Sequence, residues 1–339
     1  MASITIHDVA RAAGVSPATV SRVLNTHEGV SADLRERVLD AVRRLGYRPN
    51  SQARSLRTRA TTVLGVIISD ITNPFFTSMV RGAEDAASAA GYSVILANSD
   101  ENLEKERRYL DVAVAERLAG VVLSPASATR TRIDVLADAG IPVVTIDRRL
   151  TTADVDRVTV ANRAASRDLI LHLAAEGRRR IGFVGGPSAV TTATDRLGGY
   201  RAGLKKAGLP YDRSLVVEGD FRIDGGRDAT RRLLAAEPRP DALFVANNLM
   251  TIGAVDALDE AGIRFPDEIA LAGFDDVSWT LGLRSSIISI NQPTYDIGST
   301  AIELLIRRIR GEDFPAKHVV LPATLTTAAA SRAPDRPDA

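Results

Sequence analysis

A single repeated unit fills most of this 339-residue chain from Val63 onward: a β-branched apolar run, a polar turn and an amphipathic helix that ends at glycine. A strand followed by a helix returns the chain to the same edge of a sheet, so this alternation predicts parallel sheets covered by helices. The runs form two sets, which predict two doubly wound subdomains instead of one large sheet. They are 64–69, 92–97, 120–124 and 141–146, then 180–185, 215–218, 242–246 and 269–273.

The residues that follow these runs are unusually polar. In open parallel sheets, ligands bind beyond the carboxyl ends of the strands, so these residues are the candidate ligand-binding set. Each has a plainer interpretation, because Asp or Asn after a strand commonly caps the next helix and a phenylalanine commonly belongs to the core. Taken together, they predict one cleft lined by Asn73, Phe75, Phe76, Ser124, Asp147, Arg148, Arg196, Phe221, Asn247, Asp275 and Gln292.

The chemistry of this set favours a sugar. It combines two carboxylates, two guanidinium groups and several amides with three phenylalanine rings. Carboxylate and guanidinium groups bind neighbouring hydroxyls in pairs, while aromatic rings cover the C–H face of a sugar. We expect the cleft to be close to electrically neutral, whereas a phosphate ligand would favour an excess of positive charge.

The start of the chain predicts three short helices. A capping box at Thr5 and Asp8 starts the first helix, and Gly14 ends it. Ser16 followed by Pro17 is typical of a new helix start, so the second helix begins after a tight turn. The expected helices are about 6–13, 17–25 and 32–45. Three helices with a glycine turn are typical of modules that lay their second helix in the DNA major groove.

Arg22 stands on the outer face of the second helix, opposite the apolar side chains Val20, Val23 and Leu24. Arginine bonds in a bidentate way to guanine O6 and N7, so we interpret Arg22 as a base-reading residue. The hydroxyl groups expected to contact phosphates are those of Ser16, Thr19 and Ser21. The alternative interpretation of the three helices is a protein-interaction module.

Charge separates this head from the rest of the chain. Residues 1–60 contain ten arginines and five acidic residues, a net charge of +5, although the whole chain has a net charge of only +1. The remaining residues therefore carry a net charge of −4. A basic segment alone is most often a solvated surface, but beside the helix pattern it favours double-stranded DNA as a partner.

The head resembles the LacI/GalR family of bacterial repressors. The match runs through 5–10, 14–16 and 19–25, and it continues through 46–50 and 53–56, where the family has a hinge helix. The resemblance implies that Leu56 inserts into the minor groove and kinks the DNA, since an apolar wedge unstacks a base step. The DNA-binding residues that it implies are Thr5, Ser16, Pro17, Ala18, Thr19, Ser21, Arg22, Asn25, Asn50, Ala53, Arg54 and Leu56.

The body has the architecture of periplasmic sugar-binding proteins, and its candidate cleft resembles that of ribose-binding proteins, except that Ser124 stands where an amide is usual. The resemblance implies ribose or a similar pentose as effector, with another hexose, nucleoside, sugar phosphate or protein corepressor as alternatives. The implied domains are a helix-turn-helix domain (1–49), a hinge (50–60), an effector-binding and dimerisation domain (61–330) and a tail (331–339). Within the third, the N-subdomain is about 61–161 and 292–321, and the C-subdomain about 162–291 and 322–330.

An enzyme of the same fold and a secreted sugar receptor are the rival classes. The chain has no Cys, its four His are scattered, and it contains no Walker or dinucleotide-binding loop, so we expect no enzymatic activity, no metal and no cofactor. It shows no signal peptide and no membrane-spanning apolar run, so we expect a cytoplasmic protein. Without leucine heptads near the C-terminus, we expect a homodimer on a palindromic operator.

Overall fold

The computed structural model describes residues 4–24, 30–47, 61–277 and 287–326. The chain divides into two compact units, residues 1–61 and 62–339. The described helices of the first unit are α1 (Ile6–Ala13), α2 (Pro17–Leu24) and α3 (Ala32–Leu45). They confirm the three predicted helices, while the predicted last residue of the second helix, Asn25, lies outside the described residues.

The three helices close around a small apolar core. Gly14 makes the turn between α1 and α2 with a φ of 64°, a conformation that residues with a Cβ atom rarely adopt. The Thr19 amide donates a 3.1 Å hydrogen bond to Ser16 Oγ, which caps α2 as predicted. From α3, Arg37 donates a 2.7 Å bond to the Ala13 carbonyl oxygen. The buried core residues are Val9, Ala10, Ala13, Val20, Val23, Val38 and Ala41.

The second unit is built from two six-stranded sheets and the helices that cover them. Its elements are β1 (Val63–Ile68), α4 (Pro74–Ala89), β2 (Ser93–Asn98), α5 (Leu103–Ala115), β3 (Gly120–Leu123), α6 (Asp134–Asp138), β4 (Val143–Ile146), β5 (Asp156–Val160), α7 (Asn162–Ala175), β6 (Ile181–Gly185), α8 (Thr191–Ala207), a 3-10 turn (Arg213–Leu215), β7 (Val216–Glu218), α9 (Ile223–Leu234), β8 (Ala242–Val245), α10 (Asn248–Glu260), β9 (Ala270–Phe274), β10 (Ile287–Asn291), α11 (Thr294–Ile309), β11 (His318–Leu321) and β12 (Thr324–Thr326).

Both sheets are doubly wound. The first has the strand order β11-β5-β4-β3-β1-β2, and the second has the order β12-β10-β9-β8-β6-β7. All pairings are parallel except that of β12 with β10. The winding direction reverses between β1 and β3 and again between β6 and β8, and such switch points are where ligands bind in this class of fold. The architecture confirms the predicted fold class.

Four strands fall outside the two predicted sets: β5, β10, β11 and β12. β5 begins with the polar pair Asp156 and Arg157, and β12 has only three residues. β11 alternates between exposed and half-buried positions at a sheet edge. β5 and β10 are each followed by a helix, α7 and α11, as in the repeated unit, whereas β11 and β12 are not.

The chain crosses between the sheets three times, after β5, after β10 and after β11. Side chains also join the two sides directly. Asn248 Nδ2 donates a 2.9 Å hydrogen bond to Asn73 Oδ1, and Arg222 Nη2 donates a 3.0 Å bond to Asp100 Oδ1. The two halves therefore face one another across a narrow cleft. Across the part of the chain that the structure describes, no helix combines the length and apolar character needed to cross a bilayer.

Candidate ligand cleft and DNA-binding surface

The cleft lies at the carboxyl ends of the strands of both sheets. The fold brings ten of the eleven predicted ligand-binding residues together there, and it adds Asp70, Glu101 and Thr192. The side chains that line the cleft are Asp70, Asn73, Phe75, Phe76, Glu101, Asp147, Arg148, Thr192, Arg196, Phe221, Asn247, Asp275 and Gln292.

Ser124 does not line the cleft, and the prediction that it does is corrected here. Its amide still donates to the Ile67 carbonyl oxygen at 2.9 Å, so Ser124 continues the register of β3. Its side chain is fully buried, and its Oγ lies 3.0 Å from Ser69 Oγ at the end of the neighbouring strand β1. The two hydroxyls satisfy one another below the cleft, which removes Ser124 from the ligand-facing set.

The three additional residues follow the same carboxyl-end rule that identified the others. Asp70 comes two residues after β1, Glu101 comes three residues after β2, and Thr192 lies in the first turn of α8. The rule therefore also applies to Asp70 and Glu101, which are not in the predicted set. Thr192 lies seven residues beyond the predicted end of its strand at position 185, so the rule does not single it out.

The two asparagines cap helices and also line the cleft. Asn73 Oδ1 accepts 3.0 Å from the Phe75 amide at the start of α4. Asn247 Oδ1 accepts 2.9 Å from the Met250 amide at the start of α10, and its Nδ2 donates 3.0 Å to the Phe221 carbonyl oxygen. The plainer interpretation as N-caps is therefore compatible with the functional one, because each cap fixes its amide at the edge of the cleft.

Arg148 is held by an acidic partner from within the cleft. Its Nη1 and Nη2 donate to the two carboxylate oxygens of Glu101 at 2.6 and 2.5 Å. Its Nη1 also lies 3.3 Å from the Pro125 carbonyl oxygen, and its Nε lies 3.4 Å from Asp147 Oδ2. Burial raises the pKa of Asp147, although the neighbouring guanidinium groups act in the opposite direction.

Arg196 is the second buried guanidinium, and it comes from α8 on the other side. Its Nε donates 2.8 Å to Asn162 Oδ1, its Nη1 donates 2.5 Å to the Ala246 carbonyl oxygen, and its Cζ lies 3.7 Å from the centroid of the Phe274 ring. These contacts fix the planar group and aim it into the cleft. Asp275 lies beyond it and accepts 2.5 Å from Gln292 Nε2.

The cleft is more acidic than the sequence predicts. Four carboxylates line it (Asp70, Glu101, Asp147 and Asp275), against only two guanidinium groups. Burial raises the pKa of Asp275 to about 6, which still leaves it mostly ionised at neutral pH. The lining therefore differs from the near-neutral cleft that was expected, because Asp70 and Glu101 add two carboxylates to the predicted set.

Backbone strain is concentrated at the cleft. Among the described residues, six non-glycine residues have φ in the left-handed region, and four of them line it. These four are Glu101, Asp147, Phe221 and Asp275, with φ values of 58°, 61°, 66° and 72°. Each such residue costs about 1–3 kcal/mol, and such positions are typical of functional sites.

The outer face of α2 is the candidate DNA-binding surface. Arg22 and Ala18 are exposed, while Val20 and Val23 are buried beneath them in the core. Ser16 Oγ lies 2.9 Å from Thr19 Oγ1 at the N-terminus of the helix. At α1, the amide and Oγ1 of Thr5 donate to Asp8 Oδ2 at 2.9 and 2.7 Å, and these bonds lower the pKa of Asp8.

The remaining members of the predicted DNA-binding set have different positions. Pro17, Thr19 and Ser21 are half-buried on α2. Five others lie outside the described residues: Asn25, Asn50, Ala53, Arg54 and Leu56. In the described ranges, no cluster of three or more His, Asp or Glu side chains is arranged to hold a metal ion.

Comparison with known proteins agrees with both parts of the chain. Residues 5–50 match the family model of bacterial regulatory proteins of the lacI family, and residues 61–328 match that of periplasmic binding proteins and sugar binding domains of the LacI family. Catabolite control protein A of Priestia megaterium is 36% identical over 321 residues, 94% of this chain and 97% of that protein. The ribose operon repressor of Escherichia coli K12 is 36% identical over 307 residues, 90% and 93% of the two chains.

A solved structure of the lac repressor dimer bound to operator and the anti-inducer ONPF has the same fold. It is 26% identical, with a TM-score of 0.85 over 96% of this chain and 98% of that chain. The family models together cover most of this sequence, and the relatives match it nearly end to end. The chain belongs to the LacI family of bacterial regulatory proteins.

Proposed function

We propose that this protein is a sequence-specific transcriptional repressor whose affinity for its operator is controlled by a sugar bound in the cleft. Members of its family are transcription regulators and not enzymes. The observation that carries the proposal is the presence of both parts in one chain: an exposed base-reading face on α2 and a buried polar cleft between two doubly wound sheets. The proposed regulated genes are those of sugar uptake or catabolism, and the proposed location is the cytoplasm.

The cleft suits a small polyhydroxylated ring. Phe75 and Phe76 pack edge to face with centroids 5.0 Å apart, and Phe221 adds a third ring to the lining. Around these apolar faces stand buried carboxylates and the fixed guanidinium of Arg196, which can bind pairs of hydroxyls. One 36% identical relative is a ribose operon repressor. Ribose or a similar pentose is therefore the proposed effector.

On the DNA side, α2 enters the major groove and Arg22 bonds to guanine, while Ser16, Thr19 and Ser21 contact phosphates. The hinge proposed for 50–60 places Leu56 in the minor groove at the centre of the operator. Two copies of the head then read two half-sites about one helical turn apart.

A second copy of the chain has a suitable surface on the first sheet. β2 is an edge strand of that sheet, and its apolar residues Ile95 and Leu96 are exposed, as is Val112 on the adjacent helix α5. An exposed apolar edge strand is a pairing surface, and covering it in a two-fold dimer removes it from water. We place the dimer contact there.

Closure of the cleft is the proposed link between sugar and DNA. Contacts such as Asn248 to Asn73 and Arg222 to Asp100 form only when the two halves approach, and a bound sugar adds contacts of the same kind. A change in the angle between the halves alters the spacing of the two hinges and therefore the free energy of docking on DNA. A coupling of about 1–3 kcal/mol is enough for a genetic switch, with release by sugar as the expected sign.

The DNA-binding role is tested by Arg22→Ala. We expect the variant to lose discrimination between an operator, selected from random sequences by the wild-type protein, and unrelated DNA of the same length. Each good bidentate pair is worth about 1–3 kcal/mol of discrimination. The measurement is the dissociation constant for both DNAs at one salt concentration.

Arg44→Ala is the matched control, because it removes the same charge from the exposed surface of α3. It should weaken binding to both DNAs by a similar, small factor. Unchanged discrimination in the Arg22→Ala protein would refute the assignment of Arg22 as a base reader.

A further inference from the structure

We infer that the cleft accepts an unphosphorylated, uncharged sugar and rejects its phosphorylated form, and that Glu101 is the residue that sets this preference. The inference rests on the proposed function, since it concerns the ligand of the same cleft. It goes beyond the proposed function by assigning to Glu101, which is absent from the predicted set, the exclusion of sugar phosphates.

Arg148 is a buried cation of the cleft lining, and its charge is already balanced. The Nη1 and Nη2 atoms of Arg148 donate hydrogen bonds to the two carboxylate oxygens of Glu101 at 2.6 and 2.5 Å. The Arg148 side chain is almost fully buried, whereas Glu101 is partly exposed on the open side of the pair. A phosphate group approaching Arg148 therefore meets the Glu101 carboxylate first.

Arg196 is no better placed to hold an anion. Its Nε and Nη1 are used by Asn162 and by the Ala246 carbonyl oxygen. Asp147 and Asp275 both lie close enough to act on its charge. Arg196 therefore acts on a ligand as a hydrogen-bond donor whose positive charge is already balanced by carboxylates. Such a donor suits a hydroxyl oxygen but does not compensate the charge of a phosphate dianion.

The cations at the rim of the cleft are already paired with carboxylates. Arg222 lies 3.0 Å from Asp100 and 3.9 Å from Asp70, and Lys105 lies 3.6 Å from Asp100. Helix N-termini are common phosphate sites, but the first-turn amides of Phe75 and Met250 are already bonded to Asn73 and Asn247. At these two helix N-termini, a buried phosphate would lose its water without gaining an equivalent partner.

Glu101→Gln gives the sharpest test. It keeps the size of the side chain and removes one negative charge beside Arg148. We measure binding to the full-length protein by calorimetry, using the pairs ribose and ribose 5-phosphate, glucose and glucose 6-phosphate, and fructose and fructose 6-phosphate. In the wild type, the bound member of a pair should be the free sugar, with its phosphate weaker by at least about 100-fold. In Glu101→Gln, this ratio should fall by about tenfold or more, as expected for one charge removed from a low-dielectric cleft.

Glu104→Gln is the matched control, since it makes the same change three residues away on the exposed side of α5. It should keep the wild-type ratio. A sugar phosphate that binds wild-type protein as tightly as its parent sugar overturns the inference and leaves the proposed sugar control standing. An unchanged ratio in a folded Glu101→Gln protein overturns the role of Glu101. If neither member of any pair binds, the proposed function fails, and the inference fails with it.

Discussion

Asp275 lies almost fully buried at the end of β9, with a left-handed φ of 72° and a 2.5 Å hydrogen bond from Gln292. Burial disfavours its charged form and raises its pKa to about 6. Removal of a carboxylate from water is costly, so this residue reduces the stability of the folded protein at neutral pH. A loss of folded-state stability of this kind is expected for a residue whose role is to bind a ligand.

The sign of the pH effect follows from that shift. In the unfolded chain the Asp275 pKa is near its ordinary value of 3.8, so between about pH 4 and 6 the unfolded state releases this proton first. The stability contributed by the protonated form is fully present below about pH 4 and is lost as pH rises through 6.

Asp275→Asn should therefore be more stable than the wild type at pH 7, by roughly 3 kcal/mol, because it keeps a neutral side chain there. The difference should vanish near pH 4, and sugar binding should be lost. Urea denaturation across this pH range measures it. Asp267→Asn, at an exposed position, is the control and should show no such trend. A less stable Asp275→Asn protein at pH 7 would contradict the burial cost.

The sequence predicts most of this site at the residue level, because residue type and position after a strand are both visible in it. It does not show where a side chain turns once the strand ends. Ser124 and Glu101 illustrate this limit: the first turns into the sheet and bonds with Ser69, and the second turns inward through a left-handed backbone onto Arg148. Those orientations depend on tertiary contacts up to 55 residues apart in the chain.

At the scale of elements, helix α8 carries Arg196 and must sit close to α7. Gly199 makes this possible, since a Cβ atom there would lie 2.4 Å from the Arg163 carbonyl oxygen and 2.6 Å from Ser166 Cβ. At the neighbouring Gly198, the nearest atom would be 3.5 Å away, on the Arg163 side chain, which is ordinary contact.

Gly199→Ala should destabilise the protein by about 1–3 kcal/mol, because the helices must separate to admit the methyl group. Gly198→Ala should be neutral or should stabilise by up to about 1 kcal/mol, since alanine favours the helix. The free energies of unfolding of the two variants, measured in parallel, test the close packing. Equal values for both would argue against it.

Strands that belong to the repeated unit could be predicted from the sequence, whereas the short strands that close the sheets could not. β11 pairs with β5, and β12 pairs with β10, only because the chain crosses between the sheets. β11 has four residues and β12 has three, and so short a segment shows too little apolar periodicity to be identified as a strand from sequence alone. Their identity depends on long-range pairing.

At the level of the whole molecule, we propose that two chains pair through β2. Ile95→Asp places a charge at a strand residue that is 55% exposed in the monomer and buried in the proposed dimer. We expect sedimentation to show a monomer that binds a full palindrome far more weakly. Val320→Asp, at a 59% exposed residue on the opposite edge strand β11, should stay dimeric. A dimeric Ile95→Asp protein would place the interface elsewhere.

In the proposed mechanism, a sugar in the cleft changes the affinity of the head for DNA. Fluorescence anisotropy of a labelled operator, titrated with protein at increasing ribose concentrations, measures this coupling directly. Arg196→Lys keeps the charge but loses the planar fork held by Asn162 and Ala246. We expect ribose to weaken wild-type binding by about 5–150-fold, the range of ordinary allosteric coupling, and Arg196→Lys to bind operator normally without responding. An operator affinity that no sugar alters, or a normal response in Arg196→Lys, would contradict control of the head by the cleft.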